Sequence, residues 1–234
     1  LASGYSNDDL LALYTLTGGI PKYVELFCDN QALTIDKMYD FVFSENSLFI
    51  DEGRNLLITE FGKNYGTYFS ILSEIANGHY TQGEIESALG GTAIGGYLSK
   101  LENVYNLITR ERPIFAKPGT KKNVRYVIGD NFLNFWFKYI EQNRSYIELQ
   151  NFDDLRQLAK ADYPTYSGRV LEKYFKQKLA ETGGFKEIGS WWETKSSIGK
   201  QRINSYEIDI VALKSSGKKA LIAEVKRVPE NNYS

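Results

Sequence analysis

The chain has 234 residues, 42% hydrophobic and 24% charged, the balance of an ordinary globular protein. Its 28 Lys and Arg against 29 Asp and Glu leave a formal charge of −1, which excludes a whole-chain electrostatic footprint for nucleic acid; any such surface is local. Cys28 is the single cysteine, which excludes an internal disulfide and a cysteine-based metal cluster, and no apolar run reaches the roughly 18 residues of a membrane span.

No signal-peptide pattern opens the chain, so the expectation is a soluble protein of a reducing cytoplasm, without a membrane partner. The length suits two or three small domains. Because the chain opens on Leu1 and Met38 is its only methionine, it reads as a fragment of a longer protein.

Ser6 or Asn7 caps a first helix, with Asp8 and Asp9 in its first turn and Leu10, Leu13 and Tyr14 at helical spacing. Thr17-Gly18-Gly19-Ile20-Pro21 ends it, and Pro21 opens a second helix that presents Tyr23, Val24 and Phe27. Further helix is expected over 35–43, with another beginning over 51–58. Residues 65–128 then read as three helices and a two-stranded wing. Tyr68, Phe69, Leu72 and Ile75 line the first; Thr81 with Glu84 forms a capping box for the second; Ile94, Tyr97, Leu98 and Leu101 stripe the third. Strands over 107–112 and 124–128 flank the loop 116–123, giving the segment order of a winged helix-turn-helix. Next, Phe132, Phe135, Trp136 and Tyr139 sit at helical spacing in a packing helix, and a polar stretch runs on to about Pro164.

Thr17 to Tyr23 together with Arg54-Asn-Leu-Leu57 resembles the C-terminal lid of a group of archaeal and bacterial AAA-type ATPases, which also carries a Phe-x-Phe-Trp-Phe helix similar to that of 131–140. The resemblance implies a P-loop core before the lid. No G-x-x-x-x-G-K-[ST] exists in this chain, so ATP is expected only in a missing N-terminal core and this chain is not expected to hydrolyse it alone.

Near the end, Tyr206-Glu-Ile-Asp209-Ile-Val-Ala-Leu213 and Ala220-Leu-Ile-Ala-Glu224-Val-Lys226 flank Ser215-Ser216-Gly217-Lys218 and read as a hairpin. With the turn centred between Ser216 and Gly217, paired positions sum to one value, and Asp209 falls opposite Glu224. Two like charges facing each other destabilise a sheet unless something compensates, and a divalent cation beside Lys226 does so. Asp209 followed by Glu224-x-Lys226 resembles the PD-(D/E)xK restriction-endonuclease-like superfamily, and the preceding helix, Gly168 to Leu179, is similar to that superfamily's opening helix, which often presents a glutamate, here Glu172.

The resemblance implies Asp209 and Glu224 as ligands of Mg²⁺ or Mn²⁺, with Lys226 orienting a water or neutralising a phosphate oxygen. Glu172 then adds a ligand or holds Lys226. The competing reading is a salt-bridge patch of Asp209, Glu224 and Lys226 on a solvated sheet face. In the wing, Arg110, Arg112, Lys117, Lys121, Lys122 and Arg125 give residues 110–125 a net charge of plus five, suited to gripping phosphates without reading sequence. A winged helix that docks a protein instead is weighed equally. Trp191 and Trp192 read as one packed and one partly exposed strand residue, or as a stacking platform beside Lys195, Lys200 and Arg202. His79 and Cys28 read as a turn residue and a buried apolar one.

The whole is thus read as a multidomain α+β protein: a helical lid remnant of an AAA-type ATPase over 1–62, a winged helix over 63–130, a connecting helical segment over 131–164 and a truncated, incomplete α/β nuclease-like domain over 165–234. The expected function is nucleic-acid binding, DNA in the first instance, with Mg-dependent phosphodiester cleavage. The alternative is a non-enzymatic regulatory ATPase whose C-terminal domains bind a partner protein, with homo-oligomerisation through the missing core. A degenerate scaffold that binds DNA without metal is a third reading.

Overall fold

The computed structural model describes residues 5–62, 65–117, 123–193, 206–216 and 219–227, together with the backbone of 197–198 and 201–202. The chain is mixed α and β and divides into two units. The first holds 1–110 and 126–164; the second holds 111–125 and 165–234.

In the first unit, α1 (Asn7–Thr17) starts under the Ser6 hydroxyl, which accepts the Asp9 N–H at 3.1 Å. It stops at Gly18, whose φ of +64° is a left-handed cap that a side chain rarely adopts. Pro21 then opens α2 (Pro21–Asp29), where its missing N–H costs nothing. After α3 (Ile35–Val42) and α4 (Phe49–Phe61), α5 (Tyr65–Ala76), α6 (Gln82–Ala88) and α7 (Gly95–Asn103) follow, with the Thr81–Glu84 capping box formed at α6. β1 (Ile108–Glu111) pairs with β2 (Arg125–Ile128).

The core of this unit is aromatic. α8 (Asn131–Phe135) continues as a π-helix over Trp136–Ile140, and Phe132, Phe135, Trp136, Phe137, Tyr139 and Ile140 are all buried. Apolar burial on every side marks a helix inside the core rather than on its surface. Trp136 lies against α4, where its indole N–H donates to the carbonyls of Phe49 at 2.9 Å and Ile50 at 3.2 Å. Gly53 of α4 makes that approach feasible, since a Cβ there would fall 2.2 Å from Trp136 Cδ2. After a 3₁₀ turn over Glu141–Asn143 and the short α9 (Arg144–Glu148), α10 runs from Phe152 to Thr182.

α10 corrects the expectation that a helix begins at Gly168 after a polar bridge. Asp153 and Asp154 favour its N-terminus electrostatically. Long-range partners support the early turns: Lys160 reaches Asp36 at 2.6 Å and Arg156 donates to the Phe43 carbonyl at 2.7 Å. Pro164 lies inside the helix, where it has no N–H to give to the Lys160 carbonyl, and the division between the units falls there.

In the second unit, Gly183 and Gly184, both at positive φ, turn the chain from α10 into β3 (Phe185–Trp192). β6 (Glu207–Lys214) is the central strand of an antiparallel sheet ordered β3-β6-β7, with β7 over Ala220–Ala223. Ile210, Val211 and Ala212 are buried in succession, as expected of a middle strand covered on both faces. β4 (Ser197–Ile198) and β5 (Gln201–Arg202) form a separate two-residue pair.

Candidate functional site

The hairpin register places the first candidate carboxylate. β6 pairs with β7 as Leu213↔Ala220, Ala212↔Leu221, Val211↔Ile222 and Ile210↔Ala223, the register inferred from a turn centred between Ser216 and Gly217. One further step would set Asp209 against Glu224. The ladder ends before it. Asp209 instead takes the Val225 N–H on Oδ2 at 2.8 Å, so a side-chain oxygen substitutes for a backbone acceptor.

Glu224 and Lys226 consequently lie past the strand rather than on it. Their side chains are 68% and 73% exposed and 3.5 Å apart, an ion pair of the kind that contributes little to stability. Asp209, half-buried near the start of β6, is tied to the backbone of Val225 between them.

α10 brings the other residues of the site. Glu172 is half-buried, and burial pushes its carboxyl up to about 7. The Asp209 carboxylate pushes in the same direction, as does Glu207 more weakly, while Lys176 and Arg169 oppose them. One helical turn on, the Lys176 ammonium donates to the Ser190 hydroxyl at 2.5 Å, and that hydroxyl donates to the Asp209 carbonyl at 2.9 Å. Ser190 is buried and sits where the β3–β6 register shifts between Gly189 and Trp191. The irregularity aims this hydroxyl along the sheet at Asp209.

Glu172 and Asp209 are thus electrostatically coupled, while the Glu224 and Lys226 side chains are exposed on either side of the Val225 N–H that Asp209 holds. Two neighbouring carboxylates, one held partly protonated near neutral pH, form a group that a proton or a cation neutralises. As donors they suit a hard divalent ion. Among the described residues, no three His, Cys, Asp or Glu side chains stand in a metal-holding arrangement.

The six basic candidates fall into three sets. Arg110 lies 2.6 Å from Glu102 and over the ring of Tyr126. Arg125 donates to both oxygens of Glu207, at 2.6 and 3.2 Å, with its guanidinium 4.2 Å from the Trp192 ring centroid. Arg112 and Lys117 are exposed, and Lys121 and Lys122 lie outside the described residues.

Trp192 is buried beneath Arg125 and Trp191 is partly exposed, which matches the packed-and-exposed reading of this pair. Lys195 and Lys200 lie outside the described residues, as does the Arg202 side chain. His79 meets Glu74 at 2.7 Å in a surface turn, and Cys28 is half-buried with its sulfur 3.5 Å from the Tyr5 hydroxyl. Lys176 and Ser190 were not singled out from the sequence. Lys176 stands four residues after Glu172, a helical spacing that could have flagged it; nothing local marks Ser190.

Residues 136–232 match the family DUF234, described as Archaea bacterial proteins of unknown function. An uncharacterized protein of Methanocaldococcus jannaschii, MJECL04, is 35% identical over 232 residues, which is 94% of this chain and 48% of the relative. The chain thus spans about half the length of the curated relative it matches. No solved structure matches it.

Proposed function

We propose that this chain binds nucleic acid, DNA in the first instance, and that its second unit is a nuclease-like domain with Mg²⁺-dependent phosphodiester cleavage as its chemistry. The observation that carries the reading is the raised Glu172 carboxyl of α10, pushed up first by burial and then by the Asp209 carboxylate of β6. Structural carboxylates are ordinarily paired with cations; two that repel each other in a half-buried place mark a site built for something else.

Asp209 and Glu172 fit a divalent ion as oxygen donors, and Glu224 would join them from just beyond β7. Mg²⁺ or Mn²⁺ bound there would supply Lewis-acid charge and a water of lowered pKa. Lys176, through Ser190, fixes the backbone that carries Asp209. Lys226, in solvent beside Glu224, would meet a phosphate oxygen. The first unit would supply the ATPase lid and the helices of a winged helix, with ATP held by a core outside this chain.

The engagement of Arg110 with Glu102 and of Arg125 with Glu207 favours a second reading, in which these domains recognise a partner protein in a regulatory ATPase. Labelled single- and double-stranded DNA, incubated with Mg²⁺ or Mn²⁺ and either the parent or Asp209→Ala, separates the two. Cleavage by the parent alone supports the nuclease. Equal cleavage by the variant removes Asp209 from the chemistry, and absence of both cleavage and salt-dependent DNA binding favours the partner-protein reading.

A further inference from the structure

The second unit holds a turn that is anchored at one residue and displays an aromatic ring at the next. Within Pro113–Ala116, the Ala116 N–H donates to the Pro113 carbonyl at 3.0 Å. Ile114 is the anchor: it is 3% exposed, its N–H donates to the Ser190 carbonyl at 2.8 Å, and a Cβ on Gly189 would lie 3.6 Å from its own Cβ. Phe115 follows with a φ of +73° and is 65% exposed.

Left-handed backbone is a region that glycine, asparagine and aspartate occupy readily and a bulky residue does not. A phenylalanine there gains no burial in return. Strain retained without burial points to use of the ring itself. Arg112 and Lys117 flank it, both exposed. Ser190, whose carbonyl anchors the turn, also donates its hydroxyl to the Asp209 carbonyl, so the displayed ring and the carboxylate site share one fixed point.

We propose that Phe115 is a stacking platform for an unpaired base of single-stranded nucleic acid, with Arg112 and Lys117 contacting the phosphates on either side. Every base offers a π-face, and an aromatic ring between cations meets both halves of a nucleotide. A duplex keeps its bases stacked on one another, so the single strand is the occupant. This inference rests on the nucleic-acid reading above.

The test is fluorescence anisotropy of a labelled oligothymidylate of about 20 nucleotides and of its duplex. It compares the full chain with Phe115→Ala, Phe115→Trp, Phe115→Gly and the double variant Arg112→Gln, Lys117→Gln. Phe115→Ala is expected to weaken single-strand binding about tenfold or more with an unchanged salt slope, while Phe115→Trp retains it. The double variant lowers the salt slope by about 1.4, the value for two single-strand phosphate contacts. Phe115→Gly, which suits the positive φ, loses affinity without a lower melting temperature, so misfolding does not account for the loss.

Undiminished binding by Phe115→Ala overturns the platform while leaving the nucleic-acid reading in place. An equal loss toward duplex overturns the single-strand assignment. Failure of the parent to bind either probe overturns both this inference and the reading beneath it.

Discussion

Glu172→Gln isolates the electrostatics of the candidate site, because it keeps the side chain's shape and removes its charge. Taking the carboxyl from its ordinary 4.5 to about 7 corresponds to about 3.4 kcal/mol. Glu172 is only half-buried, and solvent screening reduces that to about 1–2 kcal/mol. The sign follows from proton binding. A carboxyl whose folded value is raised holds more protons folded than unfolded, so it costs no stability below about pH 4.5. The cost grows as pH rises and is complete above about 7. Amide hydrogen exchange in β3 and β6, which reports opening of the second unit, provides the assay. At pH 4.5 parent and variant should have equal opening free energies; at pH 8 the variant should be the more stable by about 1–2 kcal/mol. A difference independent of pH, or a variant less stable at pH 8, would refute the raised titration of the half-buried Glu172 carboxyl. Millimolar Mn²⁺ extends the test, since under the metal reading it stabilises the parent at pH 8 far more than the variant.

Lys176→Met removes one of the two cations that oppose the rise of Glu172, so that carboxyl should titrate above the parent's value; carbon NMR of the carboxyl reads the change, and a fall would contradict the opposing charge of Lys176. Gly53→Ala should destabilise, against the helix-propensity gain of about 1 kcal/mol, because the new methyl meets Trp136 at 2.2 Å; thermal unfolding should show a net loss of about 2 kcal/mol. Gly66→Ala in α5, with nothing within 4 Å of its Cβ, is the control and should gain up to about 1 kcal/mol.

Features governed by local rules were legible in the sequence. The Gly18 and Pro21 boundary, the Thr81–Glu84 capping box and the β6–β7 register each depend on a few adjacent residues, and each stands where the sequence puts it. The start of α10 was not legible, because its first turns are polar and find partners in Asp36 and Phe43, more than a hundred residues earlier. The candidate site was half legible. Hairpin pairing pointed to Asp209, and only the resemblance of the preceding helix to the superfamily's opening helix pointed to Glu172. The end of β7 at Ala223 depends on Asp209 taking the Val225 N–H, and no propensity announces a strand stopped by its neighbour's side chain. Ser190 became visible only when the β3 register shift set its hydroxyl against strand β6.

The order β3-β6-β7 also bears on how the protein behaves when crowded. An outer strand is an open template onto which another chain can zip. β3 is guarded: its pairing with β6 is broken by two register shifts, and Ile114 occupies the Ser190 carbonyl. β7 is guarded by brevity, four residues long, yet it turns Ile222 outward at 66% exposure. Among the described residues β7 is thus the less guarded outer strand, and Ile222→Lys is the change expected to lower self-association in concentrated solution.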